Sequence, residues 1–213
     1  MHQAVDRNKG RKSVEALQTR YLKDYDQPYQ GGELRPHFIY EQFKIKGSAL
    51  IAWQAGADVT TEAMVDLEDQ LNQGFIRAKK MIHFLGEFYF CRLKEAVYLQ
   101  RLFLSLWESE LVRLTGLPIS RVGDDLYFKD QKISVSIVAP STVSQLFHCA
   151  LNLDPAGAPV PAIGLEALFK LAPHRLAETL SFDSQKLSEK IMYRFEDEVR
   201  RAQEACTKVR PVV

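Results

Sequence analysis

A row of polar side chains between residues 121 and 138 is the part of this sequence best suited to chemistry. Lys132, Ser134 and Ser136 alternate with branched apolar residues, so in an extended strand they would share one face. Arg121 and the pair Asp124–Asp125 precede them across a polar turn. Such a set could bind a small polar molecule and stabilise developing negative charge. The alternative is a strand with one solvent-exposed face, which is common in antiparallel sheets.

A second group of candidate ligands is an acidic segment in the first third of the chain. Asp66, Glu68 and Asp69 surround a single leucine. Carboxylate oxygens are hard ligands that suit Mg²⁺ or Ca²⁺, so these three residues are candidate metal ligands. The alternative is the solvated start of a helix, where carboxylates interact favourably with the helix dipole.

Three histidines form the third group. His37, His83 and His148 each stand next to a phenylalanine. If a sheet gathers them, they could bind a ligand or metal, or shuttle a proton. None of their spacings is that of a helix pair or zinc finger, so partly buried histidines without a functional role are the alternative. Cys149 follows His148 directly, but neighbours in a strand point to opposite faces, which argues against a Cys–His dyad.

Composition limits the protein class. The chain has 213 residues, 46% of them hydrophobic, and a formal net charge of +1, which predicts a folded globular protein with no strong nucleic-acid signal. No apolar run approaches the ~18 residues of a membrane span, so we expect no membrane association. Three distant cysteines (Cys91, Cys149 and Cys206) fit neither a disulfide framework nor a zinc site, which predicts reduced thiols and a cytoplasmic location.

The periodicity predicts the elements that must position these residues. Residues 1–12 are polar and basic and predict a mobile arm, followed by a single domain over residues 13–213. The pattern predicts a β-hairpin over 125–138. It also predicts strands over 38–45, 48–59 and 81–90, helices over 14–24, 94–114, 163–169 and 184–206, and a strand or buried helical turn over 143–153. Strands clustered around one long helix indicate a mixed α+β domain with a mostly antiparallel sheet packed on helices.

The order of these elements carries a resemblance. A strand and a long helix are followed by Gly-Asp-Asp-Leu-Tyr-Phe-x-x-x-Lys-Ile-Ser-x-Ser-Ile and then Leu-Phe-His-Cys-Ala-Leu-Asn-Leu. Residues 81–153 thereby resemble the catalytic domain of the biotin and lipoate protein ligases. The resemblance implies an acyl- or nucleotidyl-transfer enzyme that uses ATP and Mg²⁺. It also implies that Lys132 contacts an acyl-adenylate and that Asp125 is the second catalytic residue.

The chain departs from those ligases where they bind phosphate. Their glycine- and arginine-rich loop corresponds to residues 54–80, which contain only Gly56 and Gly74 and are acidic. Backbone amides approach a phosphate closely where glycine permits it. An acidic segment in this place indicates a divalent cation, or a ligand carrying N–H donors, instead of phosphate. Asp124 also stands where the ligases have asparagine.

A second resemblance runs along nearly the whole chain. Its segments are Leu34-x-x-His-Phe-x-Tyr, Met64-Val-Asp-Leu-Glu-Asp, Met81-x-His-Phe and Arg121-x-Gly-Asp-Asp-Leu-Tyr. These segments are similar to those of a bacterial and archaeal domain family of unknown function, number 366. That resemblance implies no activity.

Three functional hypotheses follow. The first is an enzyme that acts on a small molecule by acyl or nucleotidyl transfer. The second is a non-catalytic module of the same fold that binds a small molecule or a divalent metal. The third is a partner-binding domain that forms a homodimer through its aromatic strand and last helix.

Overall fold

The computed structural model describes residues 16–172 and 182–212. Its centre is a five-stranded sheet in the order β1-β2-β3-β8-β7, in which β1 runs parallel to β2 and every other pair is antiparallel. The strands of this main sheet are β1 (Gln18–Tyr21), β2 (Ala49–Val59), β3 (Ile76–Phe88), β7 (Ser134–Pro140) and β8 (Gln145–Asp154). A small antiparallel sheet contains β4 (Ile119–Val122), β5 (Asp125–Phe128) and β6 (Gln131–Lys132).

The long helices pack on one face of the main sheet. The helices in chain order are α1 (Phe38–Phe43), α2 (Leu67–Leu71), α3 (Leu93–Thr115), α4 (Leu165–Leu171) and α5 (Ser184–Cys206). Aromatic side chains of β3, β8, α3 and α5 form the largest core, in which Phe103 contacts Phe84, Phe147 and Phe195 edge-to-face. α3 ends at Gly116, whose φ of 67° is easily adopted only by glycine. None of the described helices is long and apolar enough to cross a bilayer.

The opposite face of the main sheet is covered by the chain between β1 and β2. Leu34, Phe38 and Ile39 pack there against Trp53 and Leu85 in a second buried cluster. This covering reaches only part of the sheet, and a cavity occupies the rest. The mixed α+β class expected from the sequence is confirmed, whereas the division into an arm over 1–12 and one domain stays a prediction, since the arm lies outside the described residues.

Two predicted elements are wrong. The described part of the helix expected over 14–24 contains strand β1 instead, which pairs with β2. The strand expected over 38–45 is helix α1, because Phe38 and Ile39 are buried side by side while Tyr40 and Glu41 are exposed. Adjacent apolar residues of this kind suit one face of a short helix better than an alternating strand.

The second strand of the predicted hairpin is divided at Ile133. Lys132 pairs with Tyr127 in the small sheet, whereas Ser134 pairs with Leu151 in the main sheet. Ile133 lies between the two strands and is fully buried. The chain therefore passes from one sheet to the other within the row of polar residues that the sequence singled out.

Candidate functional site

A cavity of about 560 Å³ lies on the face of the main sheet that the long helices leave free. Its floor contains Met81, Val135, Ile137 and His148 from three neighbouring strands. The segment over residues 63–77, which includes α2, forms one wall. Asp124, Asp125, Lys132 and the loop around residues 158–162 form the opposite wall. The volume and the apolar floor are those of a pocket for a small organic molecule.

An ion pair between Lys132 and Asp125 forms part of this wall. The Lys132 Nζ is 2.7 Å from Asp125 Oδ2, and the two side chains are 26% and 16% exposed. The Lys132 backbone is held on both sides, because its N–H donates to the Pro161 carbonyl (2.9 Å) and its carbonyl accepts from the Ile163 N–H (3.0 Å). The Asn152 amide donates to the same Lys132 carbonyl at 3.2 Å. The lysine backbone is therefore fixed beside the cavity by two other parts of the chain.

The pKa values of Asp125 and Lys132 are both raised, but for different reasons. Burial raises the pKa of Asp125 to about 6, in spite of the nearby Lys132 ammonium, and the charges of Asp124 and Asp69 raise it further. Burial acts to lower the pKa of Lys132, but the Asp125 carboxylate outweighs it, so the lysine pKa is raised. Asp125 Oδ1 is buried and has no hydrogen-bond partner among the described residues. Lys132 is thus a cation at neutral pH, whereas Asp125 titrates in a physiologically accessible range.

The acidic segment lies at the cavity, where it begins helix α2. Asp66, Glu68 and Asp69 all line the wall. Asp66 caps α2, because its Oδ1 accepts from the backbone N–H groups of Glu68 (2.9 Å) and Asp69 (3.2 Å). Within residues 16–172 and 182–212, no three histidine, cysteine or acidic side chains are grouped as metal ligands. The structure thus shows a capped, acidic helix start at these residues, and the metal centre predicted there stays a prediction.

The structure brings two of the three histidines together. His83 Nδ1 lies 3.3 Å from His148 Nε2, and His83 Nε2 lies 3.2 Å from the Gly56 carbonyl. Tyr29 stacks on His148 with ring centroids 3.8 Å apart. Burial lowers the pKa of His83 to about 4, and burial next to His83 lowers that of His148 well below its usual value. Both rings are therefore neutral at physiological pH, and only His148 lines the cavity.

His37 lies away from this cavity, so the structure does not bring it together with the other candidate ligand-binding residues. Its backbone N–H donates to both carboxylate oxygens of Glu87 (3.0 and 3.1 Å), and its ring contacts the Tyr89 hydroxyl at 3.2 Å. Glu87 also accepts from Ser144 Oγ at 2.7 Å. This buried carboxylate therefore fixes the turn that begins α1, at φ 66° for His37.

Ser134 and Arg121 also lie away from the cavity lining. Ser134 is fully buried, and its hydroxyl accepts from the Leu126 N–H at 2.9 Å. Arg121 donates through its guanidinium to the Gly123 carbonyl at 2.7 Å. Ser136 reaches the lining, but its hydroxyl is occupied by the Asp124 carbonyl (2.6 Å) and the Gln100 amide (2.8 Å). The strand break at Ile133 explains why Ser134 and Lys132 are separated, because Ser134 joins the main sheet while Lys132 stays with the small sheet.

Tyr29 and Asn152 are two buried cavity residues with polar groups that were not found from the sequence. Tyr29 is 3% exposed and lines the cavity. No sequence pattern around Tyr29 predicts its place in the cavity, because the residue lies in an irregular loop. Asn152 also lines the cavity and is 5% exposed. A polar residue inside the apolar strand over 145–154 was a usable signal for it, since a buried amide needs partners.

Comparisons with solved structures place this fold among known proteins. A protein of unknown function from Pyrococcus horikoshi is 30% identical, with a TM-score of 0.80 over 93% of this chain and 100% of that one. The biotin protein ligase from Aquifex aeolicus, in complex with biotin and ATP, is 13% identical, with a TM-score of 0.55 over 87% of this chain and 72% of that one. The expected resemblance to biotin ligases is thus confirmed at the level of the fold.

Sequence comparisons give the family. An uncharacterized protein of Methanocaldococcus jannaschii is 32% identical over 145 residues, which are 66% of each chain. The chain therefore matches just under two thirds of that relative's length. The model of the domain of unknown function DUF366 matches residues 17–210. Because this match covers nearly the whole chain, as the second sequence resemblance implied, the protein belongs to the DUF366 family.

Proposed function

We propose that this protein binds a small organic molecule in the cavity on the free face of the main sheet. The observation that carries the proposal is a cavity of about 560 Å³ whose apolar floor meets a largely buried ion pair, Lys132–Asp125. Apolar surface supplies affinity in such pockets, and a few fixed polar groups supply orientation. The similarity in fold to a biotin ligase whose structure contains biotin and ATP supports a small organic molecule as the kind of ligand.

The ion pair supports a functional role more than a structural one. Packing alone would not require a lysine and an aspartate at this position, and burial of both is costly unless their remaining hydrogen-bonding capacity is used. Asp125 keeps one buried oxygen without a partner among the described residues, and its pKa is raised to about 6. Ionisable groups perturbed in this way are frequent where ligands bind.

Acyl or nucleotidyl transfer is a second candidate, and the position of Lys132 in the cavity wall supports it. The residues present do not fit ATP and Mg²⁺, however. Both cations of the lining are already paired, Lys132 with Asp125 and Arg77 with Asp58. Gly74 donates its N–H to the Asp69 carbonyl, so its amide is not available to a phosphate. A pyrophosphate-release assay with ATP, Mg²⁺ and carboxylic acids tests this candidate, and the absence of turnover with acids that bind would contradict it.

A thermal-shift panel with a blocked cavity tests the proposal itself. The panel contains biotin, lipoate, octanoate, simple amines and ATP with Mg²⁺, measured on the wild type and on Val135→Trp, which places an indole on the floor. Lys129→Ala is the control for a substitution outside the cavity, because Lys129 lies exposed in the turn of the same hairpin. We expect at least one compound to stabilise the wild type and the Lys129 variant but not the blocked variant. If Val135→Trp responds to every compound as the wild type does, the proposal is wrong.

A further inference from the structure

The charged groups of the cavity that remain without a partner are carboxylates. Five acidic residues and two basic ones line it: Asp66, Glu68, Asp69, Asp124, Asp125, Arg77 and Lys132. Both basic residues are paired, Asp66 caps a helix, and Asp124 lies 3.4 Å from Arg101. Glu68 and Asp69 are left without an ion pair anywhere in the described ranges. An anionic ligand would therefore meet uncompensated negative charge at this wall, whereas a cationic one would neutralise it.

His148, a buried residue of the cavity floor, also favours a ligand that carries hydrogen-bond donors. The Gly56 carbonyl can only accept, so His83 Nε2 must carry a proton, and the neutral His83 ring has a lone pair on Nδ1. His148 Nε2 must then donate to that lone pair. His148 is consequently left with a bare acceptor at Nδ1, for which the described residues provide no donor. Since His148 lines the cavity, a ligand that fills the cavity can meet this acceptor there.

We infer that the ligand of this cavity is an organic molecule that carries an amino group, or another head rich in N–H donors, on an apolar body. The inference rests on the proposed function and specifies its substrate class. The amino head would lie against Glu68 and Asp69, and the apolar body would cover Val135 and Ile137. A further N–H or O–H of the ligand would satisfy His148 Nδ1, because an acceptor that is buried without a donor is costly.

Asp125 provides a readout that a nonspecific complex would not give. The charged groups that act on it are Lys132, Asp124 and Asp69, and Arg101 pairs with Asp124. A cation bound beside Asp69 favours the ionised form of Asp125, so its pKa falls from about 6 on binding. Binding near pH 6 should therefore release a proton, up to about half a proton per ligand, and binding at pH 8 should release almost none.

The test uses three probes with the same chain and different heads: hexylamine, hexanol and hexanoate. Titration calorimetry at pH 6 and pH 8, in buffers of different ionisation enthalpy, gives the affinity and the number of protons released. We expect hexylamine to bind best and hexanoate worst. The double variant Glu68→Gln/Asp69→Asn should bind hexylamine about fivefold or more weakly, because two solvent-exposed charge interactions are lost. Glu198→Gln, an exposed residue of α5, is the control and should leave hexylamine affinity unchanged.

The outcomes separate this inference from the proposed function. If hexanoate binds as well as hexylamine and Val135→Trp abolishes its binding, the cavity is a ligand site but the amine preference is wrong. Unchanged hexylamine affinity in the double variant would overturn the inference in the same way. If no probe binds, the inference is wrong, and the thermal-shift panel decides the proposed function separately. If binding persists in Val135→Trp and in a second blocking variant, Met64→Trp, both the inference and the proposed function are wrong.

Discussion

Two largely buried carboxylates with basic partners, Glu110 and Asp125, have opposite electrostatic properties. Glu110 lies between α3 and α5, is 3% exposed, and is contacted by Arg113 (2.6 Å), Lys190 (2.8 Å) and Arg194 (3.1 Å). Hydrogen bonding to Arg113, aided by Lys190, lowers its pKa to about 2. Asp125 has the single partner Lys132, and burial raises its pKa to about 6.

The number of donors explains the difference. Both oxygens of Glu110 accept charged hydrogen bonds, so the ionised form is stabilised and the two helices are joined. One oxygen of Asp125 has no donor among the described residues, so its charge is only partly compensated. We therefore expect substitution of Glu110 to affect folding and substitution of Asp125 to affect binding.

The largest effect on stability is expected for Glu110→Gln. The variant loses charge-assisted bonds from three partners and should lower the free energy of unfolding by about 2–3 kcal/mol. Because the folded pKa is lowered, this contribution is present above the unfolded value near 4.5 and is lost as pH falls toward 2. Urea unfolding at pH 7 and pH 3 measures the loss of unfolding free energy and its dependence on pH. The prediction is wrong if Glu110→Gln resembles the exposed control Glu198→Gln at pH 7.

The pH dependence of stability should be reversed for Asp125. Its folded pKa is raised, so its favourable contribution is fully present below the unfolded value near 3.8 and is lost as pH rises through about 6. Relative to Asp125→Asn, the wild type should therefore lose about 2 kcal/mol of stability between pH 4 and pH 7. Asp130→Asn, in the exposed turn of the hairpin, is the control. Parallel stability profiles for the wild type and Asp125→Asn would contradict the prediction.

A smaller effect is expected at neutral pH for the cavity pair. Lys132→Ala and Asp125→Asn should each change the unfolding free energy by no more than about 1–2 kcal/mol, while ligand binding is lost. The competing view is a structural ion pair, which predicts strong destabilisation of each single variant and partial rescue in the double variant. Denaturation of all three variants, together with titration of the best stabilising compound, decides between these views.

The smallest effect is expected at the cavity wall formed by α2. Leu67 and Leu71 are 72% and 84% exposed, so they bury little apolar surface. The double variant Leu67→Gln/Leu71→Gln should therefore change stability by less than about 0.5 kcal/mol. A loss comparable to that of Glu110→Gln would show that this wall supports the fold.

Local patterns predicted much of the fold. The helical repeat of α3 and the charge pattern of α5 gave both elements nearly to the residue, because those helices are long and regular. The same alternation that found Lys132 misplaced Ser134, because the strand break at Ile133 depends on which sheet each half joins. No local pattern contains that information.

The candidate site was predictable to a similar extent. Lys132 was singled out by the alternation of polar and apolar residues, and Asp125 by its place before the polar turn and by the resemblance to the biotin and lipoate ligases. The contact between His83 and His148 depends on the pairing of β3 with β8, which places residues 65 positions apart side by side. Tyr29 reaches the cavity through an irregular loop, so its position depends on tertiary packing.

Contacts between residues close in sequence and contacts between residues far apart in sequence should form at different stages of folding. Lys132 and Asp125 belong to one short hairpin, so they can meet as soon as that hairpin closes, at little cost in chain entropy. His83 and His148 can meet only after β3 and β8 have paired across the intervening 65 positions. We therefore expect the hairpin to form early and the histidine contact late, which makes the resonances of these two rings a reporter of the completed main sheet during refolding.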